Sequence, residues 1–241
     1  MISFGVSVAL LTPFNEAGEI DLPLLCQHAN RMLAEGADSI TLFGTSGEGA
    51  SVHRSERSEG VKALLNSGCS ANQLILGVCA TSAGDAAEQV QEGVNLGVHR
   101  FLLLPPFYFK DCDDAGLFKW HQDLLAVTDE KARFILYHIP QVSGIALSYD
   151  LLQRLSEYAP DRIIAIKDSS GCWETAASLI SQLSIPVLVG DERLLHRAVK
   201  HGAAGTISGM ANLDPSRLQR IVQTATEDCA LSEEVSRIVS V

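Results

Sequence analysis

The sequence predicts an α/β protein built as a (β/α)8 TIM barrel. Three observations carry that expectation. Short β-branched or Leu-rich runs alternate with longer amphipathic ones along the whole chain. The short runs are continuously apolar, as parallel strands covered on both faces should be. Most of them begin roughly 23 to 35 residues apart, the pitch of a βα unit, and the alternation closes at eight. An open doubly wound sheet is the alternative, but no GxGxxG follows the first strand.

In chain order the expected strands are Phe4–Leu11, Ser39–Phe43, Leu74–Cys79, Arg100–Leu104, Phe134–His138, Ile163–Lys167, Pro186–Val189 and Gly205–Ser208. Helical patterns fill the gaps. Leu25, Ala29, Met32 and Leu33 share one face of a helix that ends at Gly36. Ser82 and Asp85 have the spacing of a capping box before a helix over Ala86–Gly97. Leu151, Leu152, Leu155 and Tyr158 form another face, capped by Ser148. Glu192–His201 and Pro215–Thr226 are the last clear helices. No linker or low-complexity tract divides the chain. Residues 1–226 are expected to be the barrel domain and 227–241 a short C-terminal helical tail.

The 241 residues are 46% hydrophobic and 20% charged, enough for a sizeable core. A net charge of −11 argues against a nucleic-acid or anionic-membrane surface. No apolar run is long enough for a membrane span, and the N-terminus reads as a strand rather than a signal peptide. The six cysteines show no CxxC or zinc-ligand spacing, so no metal site is expected and a reducing, cytoplasmic setting is.

Barrel chemistry sits where strands end and loops begin. After the second strand comes GTSGEGAS, Gly44 to Ser51, whose glycines can leave backbone N–H groups open to an anion while Thr45 and Ser46 add hydroxyls. It could equally be a plain turn. PPFYFKD, with Tyr108, follows the fourth strand, and YHIP, Tyr137 to Pro140, ends the fifth. Tyr137 could be core filler or a proton relay, and His138 an acid/base or a structural histidine. Lys167 ends the sixth strand after four apolar residues. An amine in apolar surroundings has its charged form disfavoured and becomes a nucleophile toward carbonyls. Alternatively Lys167 snorkels to the mouth and pairs with Asp168. GDE, Gly190 to Glu192, follows the seventh strand, where carboxylates would oppose a phosphate. TISGMAN follows the eighth, with small residues at Ser208 and Gly209. Together an anion loop, a tyrosine and a lysine at three strand ends would face one cavity and suit a 2-oxo acid.

Four motifs in order carry a family resemblance: TPF at Thr12–Phe14, GTSGE at Gly44–Glu48, YHIP at Tyr137–Pro140 and KDSS at Lys167–Ser170. The chain resembles the dihydrodipicolinate synthase / N-acetylneuraminate lyase family of pyruvate-dependent class I aldolases, from Phe4 to about Thr226. The resemblance implies Lys167 as the Schiff-base lysine and Tyr137 as the proton shuttle over the imine. It implies Thr45 and Ser46 as carboxylate holders that complete the relay, and Tyr108 as the tyrosine that completes it across a subunit interface. Gly190 and Ile207 would line the pocket. No cofactor is implied beyond the covalent imine. The implied partners are pyruvate with an aldehyde or a sugar acid, and a second copy of the chain in a homodimer or homotetramer.

Three departures matter. His138 replaces the usual asparagine. Val142 stands where the synthases carry an arginine that grips the aldehyde substrate's carboxylate, and a bidentate clamp is not replaced by valine. The C-terminal helical extension is short for the family. IPQVSG and the acids Asp191 and Glu192 look more like lyase residues that meet substrate hydroxyls. The expected function is therefore a Schiff-base lyase that condenses pyruvate with an aldehyde, like 4-hydroxy-tetrahydrodipicolinate synthase, or runs the reverse cleavage. The alternatives are a 2-keto-3-deoxy sugar acid or N-acetylneuraminate-type aldolase or dehydratase, and a barrel that binds a 2-oxo acid without turnover.

Overall fold

The computed structural model describes residues 4–225. Its eight strands are β1 Gly5–Ala9, β2 Ser39–Leu42, β3 Leu74–Val78, β4 Arg100–Leu103, β5 Arg133–His138, β6 Ile163–Asp168, β7 Val187–Val189 and β8 Gly205–Ser208. All pair in parallel in the order β1 to β8, and β8 closes on β1. The expected TIM barrel is the observed one. The tail expected over 227–241 lies outside the described residues.

Nine α-helices are described: α1 Leu22–Ala34, α2 Arg54–Asn66, α3 Ala83–Asn95, α4 Asp114–Val127, α5 Pro140–Ser143, α6 Tyr149–Tyr158, α7 Trp173–Gln182, α8 Glu192–Lys200 and α9 Pro215–Thr224. Side chains of Asp21, Ser82, Ser148, Asp191 and Asp214 accept from backbone N–H groups in the first turns of their helices. Ser82 caps a helix that opens at Ala83, three residues before the expected start.

Helices α2 and α4 lack a plain apolar stripe. The buried face of α2 includes Arg57 and Gly60 beside Val61 and Leu64. That of α4 includes His121 beside Leu117, Leu124 and Leu125. Hydropathy alone does not reveal faces built in this way.

The core has two layers. Val6, Val8, Ile40, Leu42, Phe101, Phe134, Leu136, Ile163 and Ile166 face outward, under the helices. Ala9, Ile75, Leu102, Ile135, Tyr137, Ala165, Leu188 and Ile207 fill the barrel interior. Alternation along β6 is broken once. Ile163 pairs with Phe134, whereas Ala165 pairs with Ile135, so one residue of β6 is extra. This bulge puts Ile163 in the outer layer and Ala165 in the inner one despite their even spacing. Lys167 thereby shares the interior face, opposite Tyr137 in the register.

His121 gives a pH prediction. Burial lowers its pKa from 6.5 to about 4, although its ring contacts the Leu117 carbonyl at 2.7 Å. The unfolded chain takes up this proton at higher pH than the folded one. The stability is therefore full above about pH 6.5 and is lost as the pH falls toward 4. The loss should reach roughly 3 kcal/mol. Urea unfolding of His121→Gln between pH 7 and pH 4 should show a flatter acid slope than wild type.

Candidate active site

Every expected site residue lies at the carboxyl end of a strand, in the loop that follows or, for Glu192, at the first position of the next helix. Lys167 ends the inner row of β6 and is 5% exposed. Its Nζ donates to the Tyr137 hydroxyl at 3.3 Å and lies 4.3 Å from the centroid of that ring. Asp168 points to the other side, where its carboxylate accepts from the N–H and hydroxyl of Ser170. Lys167 thus addresses the tyrosine rather than its neighbouring aspartate.

Tyr137 is 3% exposed and also contacts Thr45 Oγ1 at 3.3 Å. Its hydroxyl joins the amine to the β2 loop in one chain. Burial by itself would raise the phenol pKa. The positive Lys167 nearby and hydrogen bonds with Thr45, Lys167 and Ser169 outweigh it, so the net shift is downward. Ser169, which sequence reading passed over, belongs to this cluster.

The loop that holds Thr45 and Ser46 is tightly wound. Phe43 and Glu48 have φ of +56° and +52°, both left-handed. Gly49 N–H closes on the Gly44 carbonyl at 3.0 Å, and the Thr12 hydroxyl donates to the Gly47 carbonyl at 2.7 Å. Thr12 of the TPF motif is therefore a strut for this loop. Ser46 is exposed at the mouth and approaches Gly209, where an added Cβ would come 3.3 Å from its Oγ. Asn212, also passed over, donates to the carbonyls of Ala9 and Gly209, both at 2.8 Å, and so ties the end of β1 to the loop after β8.

Gly190 follows β7 and Ile207 lies in β8. Ile207 is buried in the inner layer. A Cβ at Gly190 would lie 1.9 Å from Ser169 Oγ and 2.9 Å from Lys167 Cε. Gly190→Ala should therefore move both side chains. We expect kcat to fall on the order of tenfold or more, with melting temperature nearly unchanged. Steady-state kinetics beside a thermal melt check this.

The remaining residues lie apart from the amine–phenol pair. Asp191 caps α8 and is held by Arg193, whose Nη2 lies 2.6 Å from its Oδ2. This hydrogen-bonded pairing lowers the Asp191 pKa. Glu192 is buried and accepts from the Ser208 hydroxyl and, at 3.1 Å, from Met210 N–H. Tyr108 is 73% exposed, stacked edge-on with Phe109 at 5.1 Å, and contacts neither Lys167 nor Tyr137. Val142 is likewise exposed.

His138 pairs with Asp168 in the outer row, directly beyond Tyr137 and Lys167. Its Nδ1 accepts from Leu147 N–H at 3.1 Å, so the neutral ring carries its proton on Nε2. Burial lowers its pKa against the pull of Asp168. Burial raises the Asp168 pKa against its bonds from Ser170. His138 thus anchors the chain after β5. Among the described residues no group of three His, Cys, Asp or Glu is placed to hold a metal ion, and no helix is long and apolar enough to cross a membrane.

A closed parallel barrel with a lysine amine and a phenol meeting at its mouth is the framework of a class I, Schiff-base lyase. The model of the dihydrodipicolinate synthetase family matches residues 3–239, and the chain belongs to that family. It is similar to the 4-hydroxy-tetrahydrodipicolinate synthase of Porphyromonas gingivalis, 30% identical over 226 residues that cover 93% of this chain and 75% of that one. Among solved structures it is similar to dihydrodipicolinate synthase from Agrobacterium tumefaciens. That likeness has a TM-score of 0.92, with 37% identity over 99% of this chain and 84% of that one. It also resembles the chloride-inhibited synthase from Acinetobacter baumannii complexed with pyruvate. There the TM-score is 0.88, with 27% identity over 99% of this chain and 82% of that one. The chain is a lyase of the Schiff-base aldolase type.

Proposed function

We propose that the protein forms an imine between Lys167 and pyruvate and adds the resulting enamine to an aldehyde, or runs that reaction in reverse. The observation that carries this reading is the chain Lys167 Nζ, Tyr137 hydroxyl, Thr45 hydroxyl, each link 3.3 Å long, which runs from the buried amine and phenol to an exposed threonine. The related synthase solved with pyruvate supports the same first substrate.

The amine lone pair of Lys167 attacks C2 of pyruvate, and the carbonyl oxygen gains a proton to give a carbinolamine. Tyr137 is placed to deliver that proton and to take it back through Thr45. Loss of water leaves the imine, which draws electrons from C3 as a cofactor would. Removal of a C3 proton gives the enamine, C3 then bonds to the aldehyde carbon, and hydrolysis frees Lys167. The open N–H groups and hydroxyls of Thr45 and Ser46 suit the pyruvate carboxylate. Ile207 offers an apolar surface to its methyl group. Tyr108 projects into solvent, and in this reading it would serve the site of a second copy in a homodimer or homotetramer.

One observation favours a second reading of the other substrate. Val142 offers no donor to a carboxylate, and the Asp191 carboxylate, 14% exposed and paired with Arg193, adds no donor either. A hydroxylated sugar aldehyde fits that lining better than aspartate semialdehyde. NMR of pyruvate in deuterated water tests the imine itself. The methyl signal should exchange with wild-type protein and stay constant with Lys167→Ala. No exchange with well-folded wild type would remove the proposal.

A further inference from the structure

Arg57 sits where a charge is hard to explain by stability. It lies on the inward face of α2, 7% exposed, and none of the ion pairs among the described residues includes it. Carbonyl and ring contacts offset only part of the desolvation cost of a buried guanidinium without a carboxylate, and an apolar side chain of that volume would fill the space without that cost. Burial accordingly lowers its pKa.

The guanidinium supplies direction. Its three contacts converge on one loop: two go to backbone carbonyls and one to an aromatic ring. Nη1 donates to the Gly49 carbonyl at 3.0 Å, and Nη2 donates to the Gly77 carbonyl of β3. The guanidinium carbon lies 4.7 Å from the centroid of the Phe43 ring. Phe43 opens the loop and Gly49 closes it, so Thr45 and Ser46 lie between two points held by one side chain. The fit is close on both sides. A Cβ at Gly49 would come 1.8 Å from the Phe43 carbonyl oxygen, and one at Gly77 would come 2.2 Å from it. The left-handed Phe43 needs such support, because that backbone conformation is costly for a residue with a side chain.

We infer that Arg57 is a positioning residue for the carboxylate of the 2-oxo acid: it fixes both ends of the Gly44–Ser51 loop and so holds Thr45 and Ser46 in binding geometry. It touches no reacting atom. The inference rests on the imine reading above; Arg57 acts chiefly on the carboxylate, through Ser46 and the loop N–H groups, whereas an effect through the link of Thr45 to Tyr137 would fall on every ketone alike.

The test compares pyruvate with acetone, which differs by lacking the carboxylate. Borohydride trapping on Lys167 is measured against the concentration of each ketone for wild type and for Arg57→Met, with circular dichroism and a thermal melt beside them. In the folded variant the half-saturating pyruvate concentration should rise about tenfold or more, with the trapping rate at saturation within about threefold. Trapping by acetone should stay within about twofold of wild type. An unchanged pyruvate half-saturation, or equal losses with both ketones, would overturn the inference. If Arg57→Met does not fold, the same comparison is read in Arg57→Lys, which keeps the charge and loses the fork. Collapse of both variants would also overturn it, because the side chain would then serve folding rather than the loop. Wild-type protein that fails to trap pyruvate at all would instead sink the imine reading.

Discussion

Lys167→Ala should abolish imine trapping and lower carbon–carbon lyase activity by on the order of a thousandfold or more. The expectation follows from placement. The amine is the one nucleophilic nitrogen that meets the Tyr137 hydroxyl, and the β6 bulge aims it into the barrel. No other lysine among the described residues is buried, so none can replace it locally. The fold should survive, because the register of β5 with β6 is carried by the backbone and by the apolar residues before Lys167. Lys167→Arg is the useful companion: it keeps a positive charge beside Tyr137 but cannot form an imine under these conditions. Both variants should retain a cooperative thermal melt, and both should be inactive. Activity within tenfold of wild type in either would place the nucleophile elsewhere.

Tyr137→Phe should lower kcat by roughly 10² to 10⁴ while leaving Lys167 able to form an adduct slowly. Removing one oxygen cuts the chain between Lys167 and Thr45 at both of its 3.3 Å links, and the ring itself stays to pack in the inner layer. The pH profile supplies a second readout. The Lys167 charge and the bonds around the phenol lower its pKa in spite of burial. Once the phenol ionises it can no longer donate, so wild-type activity should fall on the alkaline side, below the ordinary tyrosine range. That limb should vanish in Tyr137→Phe. A variant lacking both groups should be about as slow as Lys167→Ala alone, since the two act as a unit.

The strand positions are legible in the sequence because most inner and outer rows are apolar, and continuous runs such as IIAI suffice to mark them, although Ser7, Thr41, Thr206 and Ser208 are buried polar exceptions. The same continuity hides the bulge. With four apolar residues in a row, no pattern tells which of them is extra, so the inward aim of Lys167 emerges only from the pairing with β5. Helix α2 is hidden for a related reason. Its buried stripe holds Arg57 and Gly60, which read as surface and turn residues.

At the site, Lys167, Tyr137 and Thr45 could be grouped in advance because each ends a strand or opens the loop after one. Ser169 and Asn212 could not, since a serine and an asparagine in loops carry no periodic signal. Asp191 is a mixed case. Its place at the mouth follows from GDE, whereas its capture by Arg193 two residues on depends on the cap geometry of α8. Tyr108, on the loop after β4, and Val142, in α5, stand exposed, and their roles turn on what meets them there.

The most direct measurement is borohydride reduction in the presence of pyruvate, followed by peptide mass mapping. A single stable adduct is expected on the peptide that contains Lys167, absent without pyruvate and absent in Lys167→Ala. An adduct confined to another lysine, or none on a sample that melts cooperatively, would contradict it.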